Sequence, residues 1–285
     1  MKLGGWSIEP PLVYVVLAAL LYCLGGRGRR ARHEPLRTLS FVAGLATIVL
    51  ALDSPIDDAA DRLFWVHMLQ HVLLLTVAPP LILLGRPWPR MWRALPLNFR
   101  TNVGRGLVRS GAAAPLRRLA RPLPAFILFN GALIFWHIPA MYNATLNSNA
   151  VHQLEHAIFF FAALLFWAGV IDPGPLRPKL EWPVRVAYVT GAMVAGFGIG
   201  LTLVMAPHPL IEHYAALAHR PGGLSALDDQ QIAGGMMWVP GSISFTIAAL
   251  IGFYRWLEPE SPTPSPAMPA EPEKPTPPRQ PALTT

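Results

Sequence analysis

Long apolar stretches, separated by short polar segments, recur along most of the chain. A helix that crosses a bilayer needs about 20 mostly apolar residues. Stretches that meet this requirement are predicted to be transmembrane helices, namely residues 10–26, 36–53, 63–85, 123–141, 151–171, 184–206 and 230–256. The pattern therefore predicts an all-α integral membrane protein, a bundle of seven transmembrane helices.

Charged residues are scarce. The chain is 53% hydrophobic and 14% charged, whereas a soluble globular domain carries about 25% charged residues. This composition excludes the class of soluble globular proteins. The single cysteine, Cys23, also excludes an intrachain disulfide and any zinc site built from several cysteines.

The basic residues are sorted between alternate loops. All but three of the 23 Lys and Arg residues follow predicted segments one, three, five and seven, and the exceptions are Lys2, Arg62 and Arg220. Loops rich in Lys and Arg stay in the cytoplasm, so we expect the N-terminus outside and the C-terminus in the cytoplasm. The basic residues that give the chain its high isoelectric point are therefore explained by membrane orientation, and no nucleic acid partner is expected.

Two regions are expected. Residues 1–257 form the seven-helix membrane domain, and residues 258–285 form a Pro-rich, disordered cytoplasmic tail that cannot build a core. Within the membrane domain, the connector 85–122 holds nine arginines and no acid. Its mixture of Trp and Arg predicts that it lies along the inner leaflet, attracted by anionic membrane lipid.

Proline and glycine punctuate two of the predicted helices. Pro79 and Pro80 are expected to kink segment three near its inner end. The glycines of segment six are expected to allow close helix packing, and they are Gly191, Gly196, Gly198 and Gly200.

The histidines converge on one depth of this topology. Of nine histidines, only His33 is placed on the cytoplasmic side. His67 and His71 are at i and i+4, as are His152 and His156, so each pair shares one helix face. Two such pairs on facing helices could supply four nitrogen ligands to a metal, and His137 could add a fifth.

A methionine lies below these histidines. Met237 is on the face of segment seven that also carries Asp229, about two turns deeper. Imidazole suits several transition metals, whereas a thioether prefers Cu(I). We therefore predict a copper ion bound by the five histidines and Met237, with Glu155, Asp229 and Gln230 orienting the ligands.

Other interpretations of the same residues stay open. A lone His-x-x-x-His pair is more often a hydrogen-bonding contact between helices than a ligand pair. His152-x-x-Glu155-His156 also fits a metalloprotease pattern, but one that needs a peptide cleft. A b-type cytochrome with axial histidines and a copper transporter are the alternative functions. His208, His213 and His219 lie in an outer loop and are either surface residues or part of a route for metal.

Several blocks of residues together resemble the polytopic CtaG family, seven-helix factors associated with assembly of caa-type cytochrome c oxidase in bacteria. The blocks lie between about residues 50 and 257, and they are His67-Met68-Leu69-Gln70-His71, Ala78-Pro79-Pro80-Leu81, Gly85-Arg86-Pro87, Trp136-His137-Ile138-Pro139-Ala140-Met141-Tyr142-Asn143, His152-x-x-Glu155-His156 and Asp229-Gln230-Gln231-Ile232-Ala233-Gly234-Gly235-Met236-Met237-Trp238-Val239-Pro240.

This resemblance implies a non-catalytic assembly factor in the bacterial inner (plasma) membrane. It implies that cytochrome c oxidase subunits are the partners and that copper is supplied to one of them. An extracytoplasmic copper carrier is a further candidate partner. The resemblance implies nothing about the Pro-rich tail, which lies outside the matching blocks.

Overall fold

The computed structural model describes residues 2–3, 6–7, 10–26, 34–171 and 180–258. Two short strands, Lys2–Leu3 and Trp6–Ser7, pair in antiparallel fashion, and the rest of the regular structure in these ranges is helical. His33 and nearly all of the predicted disordered tail lie outside the described residues.

The helices of the described ranges are numbered in chain order. They are α1 (Pro10–Gly25), α2 (Pro35–Leu52), α3 (Pro55–Ala60), α4 (Phe64–Val72), α5 (Ala78–Leu84), α6 (Pro87–Ala94), α7 (Leu97–Ser110), α8 (Ala113–Leu119), α9 (Pro122–Trp136), α10 (Pro139–Asn147), α11 (Asn149–Ile171), α12 (Trp182–Met205), α13 (Glu212–Ala216) and α14 (Ala226–Leu257). A π-helical turn, Leu73–Val77, joins α4 to α5, and Pro221–Gly223 is a 3₁₀ turn.

Proline starts many of these helices instead of breaking them. At the first helical position its missing N–H is not needed, and its fixed φ suits the helix. Helices that begin at a proline are α1, α2, α3, α6, α9 and α10. Six of the 31 prolines are placed in this way and so do not interrupt a helix.

Five continuous helices are long and apolar enough to cross a membrane: Pro35–Leu52, Phe64–Leu84, Asn149–Ile171, Trp182–Met205 and Ala226–Leu257. The pair α8 and α9, bent by 75° between them, makes a sixth candidate if counted as one span. Every predicted segment contains an apolar helix. α1, with 16 residues, is shorter than the roughly 20 residues that a membrane crossing needs. The protein is therefore a multi-pass helical membrane protein, consistent with the many exposed Leu, Ile and Val side chains on its helices.

The fourth predicted segment, residues 123–141, does not continue as one helix. α9 ends at Trp136, and α10 begins at Pro139. The residue before a proline is disfavoured in the α region, and Ile138 has an extended backbone with ψ of 128°. His137 consequently lies at a helix C-terminus.

The third predicted segment leaves regular α-helical geometry just before its two prolines. Pro79 has no N–H to donate to the carbonyl of Leu75, its partner in a regular α-helix. The indole Nε1–H of Trp167, on α11, donates to that carbonyl at 2.9 Å instead. The π-helical turn is thus supported by a neighbouring helix.

α12 and α14 approach each other closely at two glycines. A Cβ added to Gly234 would lie 2.6 Å from the carbonyl oxygen of Gly200, and one added to Gly200 would lie 2.7 Å from that of Gly234. The prediction of close packing therefore holds at Gly200. It does not hold at Gly196 and Gly198, where a Cβ would meet no atom within 4 Å.

An aromatic layer fills the middle of the bundle. Phe166 on α11 is fully buried and stacks on Phe129 of α9 and Tyr188 of α12, with ring centroids 4.5 and 4.6 Å away. Trp167 stacks on Phe245 of α14 at 5.2 Å. This layer separates two ends of the bundle, the histidine end, where α4, α11 and α14 begin, and the arginine end, where α5, α11 and α14 finish.

The basic connector forms helices α6 to α8 at the arginine end. Trp88 and Trp92 stack with ring centroids 5.6 Å apart. Arg90 is buried, with its guanidinium 4.4 Å from the centre of the Tyr22 ring and its Nη1 donating to Thr38 Oγ1 at 2.7 Å. These contacts attach the start of the connector to α1 and α2.

Candidate metal centre

The two predicted histidine pairs face each other at the histidine end. His67 and His71 lie on α4, and His152 and His156 lie on α11. The ring centroid of His67 is 5.0 Å from that of His152, and the ring centroid of His71 is 5.6 Å from that of His156. Two helices that begin at the same end of the bundle therefore bring four imidazoles to one place.

The ligand atoms of this cluster are close enough for metal binding. One such atom from each of His67, His152, Glu155 and His156 lies within 4.8 Å of the other three. Two nitrogen ligands on opposite sides of one ion with 2.1 Å bonds are about 4.2 Å apart. The four groups thus span little more than one coordination sphere.

His71 extends this cluster. Its Nε2 is 3.0 Å from Nε2 of His67 and 3.7 Å from Oε1 of Glu155. Because the carboxyl group of Glu155 lies among the imidazoles, it is positioned to bind a metal directly as well as to orient the histidines.

Tyr214, on α13, determines the tautomer of His67. Its hydroxyl donates to the carbonyl oxygen of Ala60 at 2.7 Å and lies 3.0 Å from Nδ1 of His67. With its only proton already used, the hydroxyl accepts a hydrogen bond from Nδ1–H. Nε2 of His67 then carries the lone pair, as a metal ligand requires.

Burial raises the pKa of the Tyr214 phenol well above its ordinary value. The hydroxyl therefore keeps its proton at neutral pH and continues to bond Ala60. No periodic pattern marks Tyr214, because it lies in a short helix of a loop, next to the half-buried His213. Only its type, an aromatic residue able to hydrogen-bond, could have drawn attention to it.

His137 has its tautomer set by the backbone. Its Nδ1–H donates to the carbonyl oxygen of Leu133, the residue one helical turn earlier, at 2.7 Å. Its ring centroid is 5.7 Å from that of His71. His137 is therefore next to the cluster, with Nε2 carrying a lone pair, although it is outside the group of four that lies within 4.8 Å.

Several buried polar atoms of the cluster have no hydrogen-bond partner among the described residues. They include Nε2 of His137, His152 and His156 and both carboxyl oxygens of Glu155. Leaving a buried polar group unpaired costs about 1–3 kcal/mol. Nitrogen lone pairs beside a carboxylate are a donor set that suits a transition-metal cation, so the residues fit a bound copper ion.

Asp229 and Gln230 form hydrogen bonds to backbone groups near the site. The carboxylate of Asp229 accepts hydrogen bonds from the backbone N–H groups of Phe64 and Trp65, at 2.9 and 3.1 Å, at the start of α4. It thereby positions the helix that carries His67 instead of bonding an imidazole. Gln230 accepts from the N–H of Leu210 at 2.6 Å and donates to the Leu203 carbonyl at 3.2 Å, so it attaches the loop that follows α12.

Met237 lies below the histidines, as its spacing predicts. It is buried and lines a narrow cavity of about 40 Å³ together with His71 and Phe129. The loop histidines are further away. His213 is half-buried, with Nε2 3.2 Å from the carbonyl oxygen of Asp61. None of His208, His213 and His219 belongs to the group of four.

Comparison with known proteins identifies a family. The family model for the cytochrome c oxidase caa3 assembly factor matches residues 20–259, which include every residue of the cluster.

Curated relatives come from mycobacteria. The chain is 26% identical over 237 residues to the uncharacterized protein Mb0105 of Mycobacterium bovis and to the uncharacterized protein MT0111 of Mycobacterium tuberculosis. It is 24% identical over 232 residues to the uncharacterized protein ML1998 of Mycobacterium leprae. These matches cover 78%, 78% and 77% of the chain but only 35%, 35% and 34% of the relatives, so the chain spans about a third of their length. No solved structure matches the chain.

Proposed function

We propose that the protein binds copper at an outward-facing histidine centre and supplies it to an oxidase subunit. The chain belongs to the cytochrome c oxidase caa3 assembly factor family, and the proposal proceeds from that membership. The observation that carries this proposal is the set of buried, unpartnered Nε2 and carboxyl atoms around His67 and His71. His67, His71, His152 and His156 are the proposed ligands. His137, Glu155 and Met237 are the further candidates.

The handover of copper needs an exposed side of the centre. His152 is half-buried, whereas His67, His71 and His156 are buried. An incoming ligand from an oxidase subunit would reach the ion first on the His152 side. His152 is therefore the proposed ligand that exchanges, while the α4 histidines hold the ion. An extracytoplasmic copper carrier would load the centre from the same side.

The layer beneath the centre favours a delivery factor over a transporter. A route across the membrane would need polar groups along its length. The narrow cavity beneath His71 and Met237 ends at the aromatic layer, and Phe129 and Phe245 of that layer line it. We therefore propose that copper enters and leaves at the same end.

The first test is the copper content of the purified protein. The full chain, purified in detergent from copper-replete cells, is compared with a variant that has His67, His71, His152 and His156 changed to Ala. A matched control changes the loop histidines His208, His213 and His219 to Ala. We expect near-stoichiometric copper in the parent and in the control, and loss of copper in the fourfold variant, with all three eluting as folded protein.

Other results would reject the proposal. A parent without copper, or equal copper in the parent and the fourfold variant, would contradict the assignment of copper to these four histidines. Iron with a Soret band would favour a haem-binding cytochrome instead. Delivery is tested next, by transfer of copper from the loaded parent to a purified, copper-free oxidase subunit.

We also propose seven membrane crossings in the bacterial plasma membrane, with the N-terminus outside. α1 and α9 are about 24 and 22 Å long, short of the 30 Å hydrocarbon core, so their ends would lie at lipid headgroup level. In a chain with Cys23 changed to Ser, a membrane-impermeant maleimide should label Ser225→Cys in intact cells. It should label Ser110→Cys only after the membrane is opened. The reverse result would invert the topology.

A further inference from the structure

A second cavity opens at the arginine end. It has a volume of about 480 Å³ and is bordered by α5, the last turns of α11 and α14, and the start of α12. Along α14, Met237 and Arg255 are separated by about 27 Å of helix. The mouth of this cavity is therefore far from the metal centre, whereas Thr76 at its inner end also lines the narrow cavity beneath His71.

The mouth of this cavity is basic and aromatic. Arg185 and Arg255, from two different helices, line it together with Trp182. The guanidinium of Arg185 stacks over the Trp182 ring at 4.4 Å, and its Nη2 donates to the Leu180 carbonyl at 3.0 Å. These contacts hold one arginine at the mouth.

Both charged side chains among the described residues that line the cavity are arginines. Arg255 does contact Glu258 at 2.9 Å, but this pair is half-exposed and joins residues three apart on the chain end. Exposed pairs of this kind are weak, so a phosphate could compete for the Arg255 guanidinium. The charge at the mouth suits an anion.

The interior of the cavity is apolar and long. It runs along α14 from Arg255 to Ser244, which is about 16 Å of helix. Half of a bilayer's hydrocarbon core is about 15 Å thick. Exposed Leu84, Ile247 and Ile251 form part of its wall, so the cavity opens sideways towards lipid.

The length and the charge of the cavity limit its occupant. Its apolar part is about 16 Å long, close to half of a hydrocarbon core, and its two arginines lie at one end. A hydrocarbon chain with an anionic head at one end matches both the length and the charge.

We propose that this cavity is a specific site for one anionic phospholipid. The phosphate lies between Arg185 and Arg255, Trp182 lies at the headgroup level, and one acyl chain follows α14 to the aromatic layer. Basic pockets between helices near the membrane surface bind anionic lipids in this way. The site differs from the basic connector α6 to α8, whose attraction to a charged leaflet needs no pocket.

Native mass spectrometry of the full chain tests this proposal. The protein is delipidated in detergent and then titrated with phosphatidylglycerol or phosphatidylcholine of identical acyl chains. We expect about 25-fold tighter binding of phosphatidylglycerol, about fivefold for each guanidinium. The double variant Arg185→Gln, Arg255→Gln should lose this preference. The control Arg105→Gln, Arg109→Gln, on the exposed face of α7, should retain it.

A second pair of variants tests the apolar part. Ile247→Trp fills the cavity and should weaken binding of both lipids, whereas Ile243→Trp, also exposed on α14 but outside the cavity, should not. Equal binding of the two lipids to the parent would overturn the proposal. So would an equal loss in the α7 control, or displacement of phosphatidylglycerol by millimolar inorganic phosphate, which would indicate a soluble anion site.

Discussion

α11 and α14 carry opposite chemistry at two levels of the bundle. At the histidine end, these helices and α4 bury side chains that water would solvate, among them His71, Glu155 and Asp229, each with no measurable exposure. Further along α11 and α14 lies the aromatic layer, in which Phe166 and Trp167 are buried almost as completely. Burial is therefore equal at the two levels, and only the polarity of what is buried differs.

This contrast separates stability from function. Stacked aromatic rings gain free energy from packing, so the layer around Phe166 stabilises the bundle. The unpartnered polar atoms near Glu155 cost free energy in the absence of a cation. A site of that kind persists because the rest of the structure holds its helices in place, so substitutions at the two levels should change different quantities.

The largest effect is expected in the aromatic layer. Phe166→Ala should lower the free energy of unfolding by about 3–5 kcal/mol, because it leaves a cavity where a fully buried ring was. Copper bound per folded molecule should not change. Denaturant unfolding in detergent measures the first quantity and elemental analysis the second. In the control Phe253→Ala, at a half-exposed ring on α14, the free energy of unfolding should stay within about 0.5 kcal/mol of the parent's value. A loss of stability equal to that of Phe166→Ala would show that the buried aromatic layer has no special role in stability.

The contact between α12 and α14 should give the next largest effect. Gly234→Ala places a Cβ 2.6 Å from the carbonyl oxygen of Gly200, so the helices must separate, at about 1–3 kcal/mol. At the adjacent Gly235 a Cβ meets no atom within 4 Å. Gly235→Ala should therefore be neutral or stabilising by up to about 1 kcal/mol, from helix propensity. Unfolding curves of the two variants compare them directly, and indistinguishable curves would refute the close contact.

At the histidine end, Tyr214→Phe should change copper affinity more than stability. It removes the hydroxyl that accepts from Nδ1–H of His67 and donates to Ala60. Loss of a group that orients a metal ligand typically weakens binding 10- to 100-fold. Competition with a copper chelator measures the affinity, and Tyr254→Phe, at an exposed ring, is the control. Unchanged affinity in Tyr214→Phe would mean that the ring of His67 is oriented by other groups.

The smallest effect on copper affinity is expected from the cap of α4. Asp229→Ala removes the acceptor for the N–H groups of Phe64 and Trp65, at about 0.5–2 kcal/mol. It also removes the buried ion pair with Arg220, whose Nε is 3.9 Å from Oδ2 of Asp229, and this loss adds to the cost in stability. Because His67 follows within one turn, copper affinity should fall too. Asp228→Ala removes part of an exposed capping box with Ser225 and should lower stability without lowering copper affinity. Equal copper affinities in the two variants would show that the α4 cap does not position the ligand.

The membrane class, the positions of the apolar helices and the two histidine pairs could be predicted from the sequence alone. These features depend on local regularities, namely an apolar run the length of a bilayer crossing and a spacing of four residues on a helix. A helix end before Pro139 could also be read from the same kind of rule, because proline restricts the residue before it.

The surroundings of the histidines could not be predicted from the sequence, because they depend on how the helices pack. The partners Tyr214 with His67 and Asp229 with the start of α4 are 147 and 165 residues apart in the chain, and no local pattern relates residues so distant. The cavity at the arginine end is likewise made where four helices meet. Periodicity identifies the face of a helix that is buried, but the packing of helices determines which side chain, proton or empty volume that face meets.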